Sequence, residues 1–342
     1  MTEKTSRTRM GKPADRPLRI HIQNAPPAPD SLILERHQLE AALSDNATFK
    51  NTNWTVSIDY GGEQIPDGLD AEIIITLAKI DVGVAAKEVP GLHWVQTTFA
   101  GVEGMLDRLP KGFKITNASG VHAEKGGEFI LAAALLLAYQ IPQFVTDRQD
   151  KSWSPLFGPV LAKHRVTILG VGAIGAAGAE NLRMHGAAVT GVTRSGRART
   201  KLDRIANLDD LDEVLAETDI LVSTLPDTPD SRNLINRRRI GLLPKGAGVV
   251  VVGRAPALDY DAIMDRLDDG TLRGAVLDVF PEEPIPKRDR VWKTPRLIMT
   301  PHCSVDDHTV YIDRCVDIFV DNLERYLSGR KLKNLVDVKR GY

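Results

Sequence analysis

The run Gly170-Val171-Gly172-Ala173-Ile174-Gly175 constrains this chain more than any other feature, because it joins an apolar run at 166–169 directly to a good helix former at 176–185. A strand that turns at once into a helix gathers unpaired N–H groups and the positive end of the helix dipole at one point, which suits a pyrophosphate. Gly170 permits the tight turn, Gly172 lets the backbone approach the phosphates, and Gly175 lets helix and strand pack closely. Ala173 and Ile174 are expected to donate backbone N–H bonds. A glycine turn without a ligand is the bland alternative, and the strand before, the helix after and a second apolar run at 187–192 weigh against it.

That second run ends at Thr193, where a site selective for NAD would carry an acidic residue for the ribose hydroxyls. Arg194 and Ser195 follow it. A guanidinium and a hydroxyl suit a 2′-phosphate, which a carboxylate would repel, so the sequence favours NADP over NAD. Arg197, Arg199 and Lys201 add to this field or form a solvated basic loop, and Arg237, Arg238 and Arg239 read as a solvated helix end.

A chain of 342 residues exceeds what one core usually serves, so two domains are expected. From Leu18 onward, strands are expected at 20–22, 54–58, 72–76, 94–97 and 113–116, with an early helix carrying Leu32, Leu34, Leu39 and Leu43 on one stripe and capped by Asp30 or Ser31. Residues 128–141 are apolar around nearly the whole helical circumference, so this helix needs cover on every side, at a domain link or a subunit interface. A second series follows at 166–169, 187–192, 220–224, 248–252, 275–279 and 297–299, six strands that make a dinucleotide fold. The amphipathic stretch 310–327 is expected to return to the first domain. The fold class is therefore α/β, with two doubly wound parallel sheets.

Lys plus Arg (44) balance Asp plus Glu (45), which leaves no global field for nucleic acid or an anionic membrane. The longest apolar stretch, 129–139, is too short to cross a bilayer, so no membrane is expected. Cys303 and Cys315 give neither a metal site nor a disulfide framework, and a reducing cytoplasm is the simpler reading. Residues 1–16 are basic without an apolar core, and read as a disordered tail rather than a secretory signal.

Reduction of a 2-keto acid needs a cation for the carboxylate and carbonyl, a proton donor for the developing alkoxide and an acidic partner for that donor. Arg254, His302 and Glu283 follow strands 248–252, 297–299 and 275–279, and open parallel sheets bind ligands at such carboxyl ends.

With these residues in view, Gly253-Arg254, Leu277-Asp278-Val279-Phe280 leading to Glu283-Pro284, and Thr300-Pro301-His302 resemble the signatures of the D-isomer-specific 2-hydroxyacid dehydrogenases, in their glyoxylate/hydroxypyruvate reductase-like branch. The resemblance implies that Arg254 binds the substrate, that His302 is the acid/base and that Glu283 orients it. It also implies cofactor contacts at Val252, Gly253 and Asp278, with Pro226 and Ser231 lining the groove. Thr97-Thr98-Phe99-Ala100-Gly101 is similar to the family's turn that holds the substrate carboxylate, here through Ala100 and Gly101.

Family architecture further implies a Rossmann domain (119–303) inserted into a flavodoxin-like substrate domain (17–118 and 304–342), a keto acid in the interdomain cleft, and a homodimer. Val251, Ala255 and Cys303-Ser304 depart from the family pattern, which leaves the substrate range open. A nucleotide-sensing corepressor-like scaffold on the same fold is the rival reading. Cys303 reads as a packed residue, and His122 and His164 receive no role.

Overall fold

Runs such as Ile73-Ile74-Ile75 and Val249-Val250-Val251 are apolar on both faces, and a strand of that kind needs helices on both sides of its sheet. The computed structural model describes residues 17–338 except 26, 27, 51, 103, 107, 108, 111 and 199, so the expected tail 1–16 and Arg199 lie outside the described residues. The chain forms two units, one spanning His122–Asp307 and the other built from the residues on either side of it.

The first unit contains β1 (Leu18–Gln23), α1 (Arg36–Asp45), β2 (Trp54–Asp59), β3 (Ile73–Thr76), α2 (Val82–Glu88), β4 (Trp94–Thr97) and β5 (Lys114–Thr116). Its sheet is parallel in the order β2-β1-β3-β4-β5, the flavodoxin-like order. One expectation needs correction. Asp30 and Ser31 cap no helix; they sit in a short 3₁₀ turn, and α1 starts only at Arg36. The Asn24 side chain donates to Leu34 O (3.1 Å) and accepts from Leu34 N–H (3.3 Å), which takes those backbone groups out of a helical ladder. Leu34, Leu39 and Leu43 are nevertheless all buried.

The second unit runs through α3 (Ala123–Ala138), α4 (Ile141–Gln149), β6 (Arg165–Leu169), α5 (Ala173–Met184), β7 (Ala188–Val192), β8 (Arg204–Ala206), α6 (Leu211–Ala216), β9 (Ile220–Ser223), α7 (Arg237–Leu242), β10 (Gly248–Val251), α8 (Tyr260–Asp268), β11 (Gly274–Leu277) and β12 (Leu297–Met299). Its parallel sheet has the order β12-β11-β10-β9-β6-β7-β8. This is the doubly wound dinucleotide fold with one strand more than the six expected. The addition, β8, is three residues long and pairs only with β7, too short for a periodic signal.

Helix α3 is not covered on every side within the chain. Gly126, Gly127, Ile130, Ala133, Ala134, Leu137 and Ala138 are buried, but Leu131, Leu135 and Leu136 are half-buried. On the covered face α3 lies against α5 so closely that a Cβ on Gly127 would meet Ala177 Cβ at 2.8 Å, and one on Gly178 would meet Ile130 Cδ1 at 2.7 Å. The segment 151–160 is exposed throughout, with Trp153 97% and Phe157 92% accessible.

The closing helix α9 (Tyr311–Leu327) belongs to the first unit. Phe319 and Tyr326 stack on Trp94 of β4 at centroid distances of 5.2 and 5.5 Å, fixing α9 against that sheet.

Candidate active site

In the second unit, β6 and β9 are neighbours whose chains depart in opposite directions along the sheet, and the glycine loop emerges at this switch point. Gly170 has φ +83°, open to glycine at little cost. A Cβ on Gly175 would stand 2.3 Å from Gly170 O, whereas one on Gly172 would meet nothing within 4 Å. The loop is therefore tight where it packs and open where a ligand approaches. Gly172 is the N-cap of α5 and makes no side-chain cap, so the first-turn N–H groups, those of Ala173 and Ile174 included, have no side-chain acceptor there. Open space at Gly172 and an uncapped helix of twelve residues fit a pyrophosphate.

Beyond β7, Thr193 Oγ1 is engaged within its own turn, donating to Arg197 O and accepting from Arg197 N–H, both at 3.1 Å. Arg194 pairs with Asp230 at 3.0 Å on the surface, and Ser195 is exposed. After β9, the Ser231 hydroxyl donates to Pro226 O at 2.6 Å and accepts from Thr228 N–H at 2.9 Å. Ser231 is buried, and its hydroxyl holds the 226–231 turn that follows β9.

The carboxyl ends of β10, β11 and β12 carry the remaining residues. Val252 and Gly253 both donate backbone N–H to Ser223 O, at 3.0 and 3.1 Å. A Cβ on Gly253 would lie 2.4 Å from Leu225 O and 2.6 Å from Leu225 N, so only glycine fits immediately before Arg254. Arg254 is half-buried, with Nη1 donating to Gly253 O at 3.1 Å.

Asp278 is fully buried, and its Oδ1 accepts from Thr300 Oγ1 (2.6 Å), Cys303 N (3.1 Å) and Ser304 N (3.1 Å). Its carbonyl takes His302 N–H at 2.9 Å. The chain thus curls around one carboxylate, which holds His302 at φ +51°, a left-handed backbone that a non-glycine residue keeps only when its surroundings over-determine it. Asp278 serves first as the anchor of the His302 turn, a role the sequence reading did not assign. Its Oδ2 is buried without a protein partner among the described residues, an acceptor of the kind a carboxamide N–H₂ satisfies.

His302 Nδ1 and Glu283 Oε2 are 2.7 Å apart, while Glu283 Oε1 accepts Phe280 N–H at 2.7 Å. Both side chains remain about a third or more exposed, His302 at 42% and Glu283 at 34%. With Nδ1 against the carboxylate, Nε2 is the nitrogen left for proton transfer. Tyr260 OH donates to Val279 O at 2.5 Å and secures the loop that carries Glu283.

Sequence reasoning missed His122. Its Nδ1 lies 3.1 Å from Asp306 Oδ1 at the start of α3, and Lys125 Nζ donates to Asp306 O. Burial holds the His122 imidazole below its ordinary value against the pull of Asp306, and the charges of Arg254 and His302 push it lower still. Arg254, His302 and His122 thus share one electrostatic neighbourhood. No local pattern announces this.

In the first unit, Ala100 and Gly101 follow β4 as partly buried turn residues, with Ala100 O accepting from Asn117 Nδ2 at 2.8 Å.

A doubly wound sheet with an open glycine turn and a paired histidine and carboxylate along its carboxyl edge defines a dinucleotide-dependent oxidoreductase architecture. The NAD-binding domain model of the D-isomer-specific 2-hydroxyacid dehydrogenases matches residues 131–304. Glyoxylate/hydroxypyruvate reductase A of Salmonella paratyphi B is 30% identical over 254 residues, 71% of this chain and 80% of that protein. A D-isomer-specific 2-hydroxyacid dehydrogenase from Xanthobacter autotrophicus, solved with NADPH and MES, superposes with a TM-score of 0.79 at 27% identity, covering 95% of this chain and 99% of that one. The NADPH-dependent glyoxylate/hydroxypyruvate reductase of Sinorhizobium meliloti, solved with NADP and sulfate, gives 0.73 at 26% identity, covering 94% and 99%. The chain belongs to the D-isomer-specific 2-hydroxyacid dehydrogenase family.

Proposed function

We propose that this chain is an NADP(H)-dependent reductase of small 2-keto acids, with glyoxylate and hydroxypyruvate as the leading substrates. The observation that carries the reading is the 2.7 Å contact between His302 and Glu283 at the carboxyl edge of the sheet whose glycine loop is open at Gly172. A nucleotide-sensing scaffold would instead show nucleotide-dependent association with a partner and little turnover. The Salmonella and Sinorhizobium relatives bear the names of glyoxylate/hydroxypyruvate reductases, and both cited structures hold NADP or NADPH.

In this reading Gly170, Gly172, Ala173, Ile174 and Gly175 receive the pyrophosphate, and Arg194 with Ser195 receives the 2′-phosphate, Arg194 exchanging Asp230 for the phosphate. Val252 and Gly253 present backbone, and Asp278 Oδ2 accepts from the carboxamide. When bound, the dinucleotide supplies the hydride. Ala100 and Gly101 N–H groups and the Arg254 guanidinium hold the carboxylate, and Arg254 also polarises the carbonyl. His302 Nε2 gives its proton to the carbonyl oxygen as charge develops there, and Glu283 keeps the ring oriented through Nδ1.

The test is a steady-state screen of glyoxylate, hydroxypyruvate, pyruvate and phenylpyruvate, each with NADPH and NADH. The two smallest hydrophilic acids are expected to lead, with kcat/KM about tenfold or more higher for NADPH, the scale of one charge-assisted hydrogen bond, and Arg194→Ala erasing that difference. A clear NADH preference overturns the cofactor assignment, and no turnover on the panel overturns the reaction.

The reading extends to a homodimer in a reducing cytoplasm, which suits free thiols at Cys303 and Cys315. Trp153 and Phe157 on the exposed 151–160 segment and the half-buried leucines of α3 form apolar surface that a monomer seldom leaves uncovered. Sedimentation should give twice the chain mass for the parent and the chain mass for Trp153→Asp/Phe157→Asp. A monomeric parent rules the dimer out.

A further inference from the structure

The turn after β4 shows an order that the reaction scheme leaves unexplained, because each of its three successive carbonyls has a donor. Thr98 O accepts from Tyr311 OH at 2.6 Å and from Cys315 Sγ at 3.3 Å, both on α9. Phe99 O accepts from Thr97 Oγ1 at 2.7 Å and from Ala118 N at 3.1 Å. Ala100 O accepts from Asn117 Nδ2 at 2.8 Å. In a planar trans peptide the N–H points opposite to the carbonyl that precedes it. Fixing the carbonyls of Thr98, Phe99 and Ala100 on the protein therefore aims the N–H groups of Phe99, Ala100 and Gly101 away from those anchors. Successive backbone N–H groups held in a fixed turn are donors of the kind an anion takes.

From this geometry we infer that Tyr311 and Asn117 are positioning residues for substrate binding, which fix the peptide planes at the two ends of the turn and so orient the Phe99 and Gly101 N–H groups without touching the substrate. The inference rests on the reductase reading above and concerns side chains that reading does not use. Cys315 assists Tyr311 as a protonated donor, since burial pushes its thiol up to about 12. The Asn117 side chain is itself held, because its Oδ1 accepts Ser119 N–H at 3.1 Å. The Asn117 carbonyl, in turn, accepts from Asn334 Nδ2 at 3.2 Å. Either anchor can be removed with little change of shape, by Tyr311→Phe/Cys315→Ala at Thr98 or by Asn117→Ala at Ala100.

The experiment measures KM and kcat for glyoxylate at saturating NADPH, the competitive inhibition constant of oxalate, and Kd for NADPH, in the parent and both variants. A released turn is expected to raise the glyoxylate KM and the oxalate constant together by about five- to tenfold, the scale of one misdirected hydrogen bond. It should leave kcat within about twofold and NADPH binding unchanged. A merely structural loss would instead lower kcat, Tm and NADPH affinity together, and that outcome overturns the inference. So does an unaltered KM in both variants of an active parent. A parent that reduces no keto acid removes the reductase reading itself, a result separable from these by the parent's activity alone.

Discussion

Replacing His302 by alanine is expected to lower kcat for glyoxylate by about 10²- to 10⁴-fold while Kd for NADPH stays within about twofold. The size follows from the proposed role: with Nδ1 held by Glu283, Nε2 would be the positioned donor for the carbonyl oxygen, and without it the proton would come from water. The dinucleotide affinity is spared because the glycine loop and the Arg194 turn owe nothing to the imidazole. Glu283→Gln keeps a neutral partner beside the ring but loses the charge, so a smaller loss in kcat with KM nearly unchanged is expected. Parent-like turnover in His302→Ala would remove His302 from the mechanism.

Arg254→Ala is the second large effect, and it differs in kind. A guanidinium that binds carboxylate and carbonyl acts in both the ground state and the transition state, so KM should rise and kcat fall. Together kcat/KM should drop by about 10²- to 10³-fold, the scale of one or two charge-assisted hydrogen bonds. Arg254→Lys should recover only part of this, because an ammonium supplies the charge without the planar fork. Equal kcat/KM in parent and Arg254→Ala rules out the assignment. Gly253, which admits no Cβ, makes the backbone under Arg254 as exacting as its side chain.

Much of the fold was legible in the sequence because its signals are local. Continuous apolar runs gave the parallel strands, and glycines 170, 172 and 175 between strand and helix located the dinucleotide turn. The shorter β8 escaped because three residues carry no period, and α1 began late because a side chain twelve residues before its first residue, Asn24, captured the Leu34 backbone. The candidate site divides the same way. Arg254, Glu283 and His302 were visible as polar residues at strand ends, but the contact between Glu283 and His302 depends on how the chain curls about Asp278, which no spacing reveals. Tyr311 and Thr98 lie 213 positions apart, and His122 meets Asp306 at the far end of its unit. Such pairings are products of folding and leave no trace in a window of neighbouring residues.

The side chains of His122 and Asp306 stand near the entrance and exit of the dinucleotide unit, 3.1 Å apart. A stretch of chain whose two ends meet can be lifted from one host and set into another without spanning a gap. The nucleotide module of this protein is therefore portable in principle: a swap cut at these two residues would exchange coenzyme preference while leaving the turn after β4 in its own scaffold.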